Sequence, residues 1–216
     1  MNNVMVEALA SIFTIENGEF KLLLIKNKKE PYKGYWILPG GLVSKEKTVE
    51  QTIEEKVIEQ TGLKGLNFEQ SFVFSDIERV PDKRIVGVSL LSIVDEFKIK
   101  KIETTTNYEF SWFTIDKLPK IGYDHSRVIE VAIAQLKDKL NQSQTLQQIF
   151  PSDFTLPEIQ KIYEQVLTKE LDRRNFRKKF LKLDLIEETG YKAPSITGRP
   201  AKLYRFKQDI ENVILF

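Results

Sequence analysis

The chain has 216 residues, 41% hydrophobic and 30% charged, with a formal net charge of +2. That length allows one large domain or a medium and a small one, and the composition excludes a wholly disordered chain, while the near-neutral balance leaves any nucleic-acid argument to local charge. Having no cysteine excludes disulfides and thiolate metal sites, and with neither a signal peptide at Met1–Glu7 nor an apolar run of membrane-spanning length, a cytoplasmic protein with no membrane partner is expected. In chain order, Val4–Ile15 and Lys21–Lys26 are β-rich runs around Asn17-Gly18, a hairpin signal. Val49, Ile53 and Val57 recur every four residues and predict a helix with one core-facing stripe. Phe68–Phe74, Arg84–Val94 and Tyr108–Phe113 read as further strands. His125–Leu140 is an amphipathic helix through Val128, Ile129, Ala132, Ile133 and Leu136. Asn141–Gln144 is polar throughout and reads as a linker or helix end. Beyond it, Thr155, Pro157 and Glu158 open a helix that buries Ile159, Ile162, Tyr163, Val166 and Leu167. Asp172 caps a second helix, Arg173–Leu183. Leu185–Glu188 and Leu203–Phe206 are short strands around the loop Thr189–Ala201. Helix, turn, helix, strand, loop, strand is the order of a winged helix. The expected division is 1–143 and 144–216.

The segment Gly41–Leu63 carries the first resemblance. It is similar to the Nudix signature, GX5EX7REUXEEXGU with U aliphatic, when anchored on Gly41, Val57, Gly62 and Leu63. Trp36-Ile37-Leu38-Pro39-Gly40-Gly41 upstream and Gln60-Thr61-Gly62-Leu63 at the end also stand at family spacing. Sliding the frame by one puts Lys56 at an aliphatic position and Thr61 where glycine belongs, so that frame fails on structure. In the anchored frame Lys47 stands where the family has Glu, and Glu55 where it has Arg. Lys56 and Gln60 replace two metal-binding glutamates, and Glu59 keeps a third. The resemblance implies an α/β/α Nudix sandwich. Positions 56, 59 and 60 are expected to share a helix face. Mg²⁺ needs hard oxygen ligands, usually carboxylates with substrate phosphate. One amine, one carboxylate and one amide do not supply them. Lys56 is expected to pair with Glu59, and Lys47 with Glu55 as the family's pair with its signs reversed. Hence no catalytic residue, no metal and no cofactor are expected, and the chain is read as no enzyme.

Asp172–Leu183 holds six cations and one acid. Phe176, Phe180 and Leu183 share one face, while Arg174, Asn175, Lys178 and Lys182 project opposite. Arg suits bidentate pairing with guanine, Asn with adenine and Lys with phosphate. A basic helix alone is more often a solvated face, and the winged-helix context turns the reading to DNA. The candidate contacts are Arg173, Arg174, Asn175, Arg177, Lys178 and Lys182 on the helix, with Lys192, Arg199 and Lys202 on the wing. Asp172–Lys179, Leu185–Gly190 and Gly198–Phe206 resemble the C-terminal domain of Nudix-related transcriptional regulators, the NrtR family. Phe74-Ser75 with Arg79–Val86 resembles that family's TFG…RDPR-RVV stretch, with Ser75 in place of Gly and a looser RDPR run. Leu118-Pro119 followed by Tyr123-Asp124-His125 resembles its LP…FDH stretch.

The resemblance implies a repressor whose degenerate Nudix domain binds an effector, typically ADP-ribose, and whose winged helix binds a palindromic operator as a homodimer. Relatives of this architecture that sense a sugar such as arabinose leave a pentose open as well. For the effector, Lys33 and Arg84 are candidates to meet a diphosphate, and Trp36, Tyr35 and Phe74 to stack on a base. Core packing is an equal alternative for Trp36 and Phe74. Arg79 and Arg84 also suit solvated strand ends, and Glu59 either a ribose hydroxyl or Lys56. His125, the sole histidine, lacks partners for a transition-metal site. It reads as a helix cap or an Asp124 partner, with a role in the pocket or dimer interface open. The competing function is a Nudix hydrolase of ADP-ribose or another nucleoside diphosphate derivative with an accessory C-terminal domain. A bifunctional protein and an interaction module follow.

Overall fold

A computed structural model of the chain describes residues 4–16, 18–94, 106–140, 142–150, 153–194, 200–208 and 210. Arg199 and Asn17 lie outside them. The chain groups into two compact units, one of residues 1–14 and 21–135, the other of 15–20 and 136–216. The hairpin tip, 15–20, and residues 136–140 thus fall with the second unit, a different grouping from a break at 143.

The first unit is built on a seven-stranded mixed sheet. Strand β1 (Met5–Glu16) lies in its middle, parallel to β6 (Ile85–Val94) from Met5 to Thr14, with β2 (Glu19–Lys26) beside it. Its run Ala8–Thr14 is buried without alternation, as a strand covered on both faces should be. β3 (Trp36–Ile37) and β7 (Phe110–Thr114) pair antiparallel with β2, and β4 (Gly40–Leu42) with β1. β5 (Glu69–Phe74) is an edge strand on β6. At its bulge the Ser89 hydroxyl donates to the Phe72 carbonyl and accepts from the Phe72 N–H, both at 3.1 Å. Helix α1 (Val49–Thr61) buries Ile53 and Val57 in a cluster with Ala8, Ala10, Ile12, Leu23 and Leu90. Helix α2 spans His125–Leu140 and buries Val128, Ile129, Ala132 and Leu136. β1, β2, β5, β6, β7 and α2 fall within a residue or two of the sequence expectation, whereas the short strands β3 and β4 were not foreseen.

In the second unit, of the polar stretch read as a linker or helix end, Asn141 lies outside the described residues, Gln142 is the N-cap of α3 (Ser143–Ile149) and Ser143-Gln144 open that helix, which buries Leu146 and Ile149. Helix α4 (Leu156–Leu167) opens with a complete capping box between Thr155 and Glu158. Helix α5 (Arg173–Lys182) is capped by the Asp172 carboxylate, which accepts from the Asn175 N–H at 2.8 Å. Strands β8 (Ile186–Lys192) and β9 (Lys202–Phe206) form a hairpin, and Phe154 adds an antiparallel bridge to Tyr204. β8 runs four residues further than expected, so Thr189–Lys192 belong to the wing strand. Phe176 stacks on Phe180, and Tyr163, Phe154 and Phe206 complete an aromatic core.

Candidate functional site

The box begins on β4, where Gly40 and Gly41 are closely approached by their neighbours. A Cβ on Gly40 would stand 2.2 Å from the Ala8 carbonyl oxygen, because β4 lies directly on β1. At Gly41 a Cβ would meet the methylene stem of Lys56 at 3.2 Å. Thr48 caps α1 through a reciprocal box with Gln51, and Gly62 ends it in the left-handed conformation at φ 77°. Val57 and Leu63 are core residues. Each residue that anchors the box alignment therefore has a packing or backbone reason.

The substituted positions are engaged with one another. Lys47 pairs with Glu55, so the reversed-sign pair forms. Lys56 Nζ lies 2.6 Å from Glu59 Oε2, and the Tyr108 hydroxyl donates to Glu59 Oε1 at 3.3 Å. The hydrogen bond from Lys56 holds the Glu59 carboxyl below its ordinary pKa and, in return, Glu59 raises that of Lys56. Gln60 does not share this exposed face. It is buried, accepting from the Gly40 N–H at 3.0 Å and donating to the Gly40 carbonyl at 2.8 Å. A carboxylate cannot make the second bond. The Thr106 hydroxyl donates to the Glu59 carbonyl at 2.9 Å, satisfying one of the orphan acceptors at the end of α1.

Sequence reasoning missed Tyr108 beside this face, Lys28 over the Tyr108 ring, and Lys26 over Trp36. Lys28 Nζ stands 5.4 Å from the centre of the Tyr108 ring. Lys26 stands 5.5 Å from that of Trp36 and pairs with Glu109 at 2.9 Å. Contacts thus run from Lys56 through Glu59 and Tyr108 to Lys28, and from Glu109 through Lys26 to Trp36. Apart from Lys56–Glu59, these links join residues far apart in sequence, so no motif announces them.

The other effector candidates are placed differently. Phe74 is only 2% exposed and packs edge-on to Phe72, as its core alternative describes. Trp36 is half-buried, with its ring edge-on to Phe113 at 4.7 Å. Arg79 is no solvated strand end. It makes a bidentate pair with Asp124, at 2.8 and 3.0 Å, and a third bond to Glu7 at 3.1 Å, with its side chain 1% exposed. Gly87 leaves room for that guanidinium, which a Cβ would approach to 2.8 Å. Burial raises the Glu7 carboxyl above its ordinary range even beside Arg79. Arg84 is half-buried and donates to the Asp76 carbonyl at 3.1 Å, and Lys33 is exposed on the loop before β3. His125 accepts from the Leu38 N–H through Nδ1 at 3.0 Å, a bond neither sequence alternative foresaw. Burial pushes its pKa down to about 4, so it is neutral at pH 7 with its proton on Nε2.

Metal binding fits this donor set poorly. Among the described residues no group of three or more His, Cys, Asp or Glu gathers to hold an ion. At the box itself an ammonium stands against the one remaining carboxylate.

The second unit presents a different surface. Phe176 and Phe180 face inward, while Arg173, Arg174, Asn175, Arg177, Lys178 and Lys182 are all exposed. The turn ahead of α5 is pinned at Leu171, whose N–H bonds Glu164 and whose carbonyl accepts from Gln160, at 2.9 and 2.8 Å. On the wing, Lys192 and Lys202 are exposed, and Lys202 pairs with Glu188 at 2.8 Å. Tyr191, overlooked in the sequence, is 71% exposed beside them, after Gly190 at φ 80° in the wing bulge.

Comparison with known proteins matches residues 147–206 to the NrtR DNA-binding winged helix domain and residues 6–132 to the NUDIX domain. The chain is 31% identical over 201 residues to the ADPR responsive transcriptional repressor NtrR of Acinetobacter baylyi, covering 91% of this chain and 79% of that protein. It is 33% identical over 110 residues to an ADP-ribose pyrophosphatase of Methanocaldococcus jannaschii, covering 51% of this chain and 64% of that protein. The crystal structure of Shewanella oneidensis NrtR complexed with a 27mer DNA superposes with a TM-score of 0.70 at 27% identity, over 96% of this chain and 99% of that one.

Proposed function

The chain belongs to the NrtR family of Nudix-related transcriptional regulators, and we propose on that footing that it is a repressor whose Nudix unit senses ADP-ribose or a related metabolite. The observation that carries the reading is the outward cationic face of α5, set on a pinned helix–turn–helix with an exposed wing. Arg174, Asn175 and Lys178 read bases and phosphates in the major groove, with Arg173, Arg177 and Lys182 on the flanking backbone. Lys192 and Lys202 approach the backbone from the wing. The operator is a palindrome bound by a homodimer, whose half-sites mirror the two-fold axis of the protein. Effector binding shifts operator affinity through a coupling free energy that holds in both directions. Such a protein works in the cytoplasm, where DNA and nucleotide metabolites meet.

A gel shift with the promoter of its own operon tests the reading. A retarded band that weakens steeply with added salt is expected, since each neutralised phosphate releases counterions. Absence of a band at low salt would sink it.

The second reading is a hydrolase, favoured by the likeness to a pyrophosphatase over half the chain. Lys56 and Gln60 weigh against it, because neither supplies an oxygen anion for Mg²⁺. Metal-dependent turnover of ADP-ribose by the purified chain would reverse the order of the two readings.

A further inference from the structure

The residues of the box do not fit a divalent metal, and the way they misfit has a function of its own. Lys56 is held at its stem and at its ammonium. Its stem occupies the space beside Gly41, where a Cβ would come within 3.2 Å of it, its ammonium is 2.6 Å from Glu59, and Glu59 in turn accepts from the Tyr108 hydroxyl. A diphosphate needs positive charge beside it, and an ammonium offers three donors, of which Glu59 takes one. The second amine, Lys28, stands 5.4 Å from the centre of the Tyr108 ring and donates to the Asn107 carbonyl. Gln60, turned inward onto Gly40, adds no negative charge to the exposed face.

We propose that Lys56 is the resident cation of this site, replacing the divalent metal, so that a diphosphate effector binds without metal and on the Lys56 ammonium. The inference rests on the effector reading above and concerns only how the site meets the diphosphate. Glu59 is a positioning residue here: it orients the amine rather than touching the ligand. Without a metal there is no Lewis acid to activate water, so the same substitution that allows binding removes hydrolysis.

Isothermal titration of the full chain with ADP-ribose, in EDTA and in Mg²⁺, tests this. The wild-type affinity is expected to agree within about twofold in the two buffers. Lys56→Gln should weaken binding roughly tenfold or more in both. Its melting temperature should stay at the wild-type value. Lys56→Arg should keep most of the affinity, and Lys56→Glu, which adds a second carboxylate beside Glu59, should bind only when Mg²⁺ is present. Loss of wild-type binding in EDTA, or a Gln variant that binds like wild type, overturns the role of Lys56 while leaving the effector reading intact. No wild-type binding in either buffer overturns the effector class itself, and this inference with it.

Discussion

The segment around α1 sets Lys47 against Glu55 and Lys56 against Glu59, whereas α5 turns Arg173, Arg174, Arg177 and Lys178 outward and uses its one acid, Asp172, on its own N-terminus. Both regions are amphipathic helices rich in charge. In the first each of these cations has an acid within the same segment, and what remains for a ligand is the donors that Lys56 keeps beyond Glu59. In the second the field points at solvent and suits a polyanion. Charge counts alone therefore say little about a helix until each charge has been traced to its partner.

The comparison is broken most severely at α5. Replacing Arg174, Arg177 and Lys178 together by Ala should reduce operator affinity by roughly two orders of magnitude or more, since single guanine contacts are worth about 1–3 kcal/mol. Fluorescence anisotropy at fixed salt measures it, with an unchanged melting temperature expected. Arg174→Ala alone should relax base preference, while Lys192→Ala should weaken all sequences alike.

The next largest effect concerns the loop that supports the α1 face. His125 holds that loop at Leu38, and its pKa is about 4 folded against an ordinary 6.5. The unfolded chain takes up its proton first, so stability is full above pH 6.5 and falls as pH drops towards 4. The loss is on the order of 3 kcal/mol. Chemical denaturation across that window should show the slope, and His125→Gln should flatten it.

Gln60→Glu sharpens the contrast further. It restores a family acid but loses the bond donated to the Gly40 carbonyl, a cost of about 1–2 kcal/mol in urea melts. It should give no hydrolysis of ADP-ribose, because Lys56 remains. The smallest effect belongs to Lys47 and Glu55. Both are exposed, and a double-mutant cycle should return less than about 1 kcal/mol. A larger coupling would mean that this pair fixes the loop rather than decorating it.

Much of the architecture was legible in the residues. The bounds of α2 follow from its apolar period, α4 from Thr155 and Pro157, and the box frame from Gly41, Val57, Gly62 and Leu63 at family spacing. Both ion pairs of the box were legible too, being close in sequence or fixed by family frame. Helix α3 was not, since a short polar-leading segment becomes helical only when Leu146 and Ile149 find a core. For Arg79 the sequence offers an effector contact or a strand-end charge, because nothing nearby in sequence shows Glu7 or Asp124, 72 and 45 residues away.

The sequence by itself determined the pattern of the two units and the loss of the box acids, because periodicity, caps and local spacing are properties of neighbouring residues. Only the tertiary structure decided what took the place of those acids. Gln60 turned inward to Gly40, Glu59 met Tyr108 across 49 residues, and His125 reached Leu38 across 87. Hydrogen bonds and ion pairs act over a few ångströms in space, and the sheet, not the chain order, brings those groups within range.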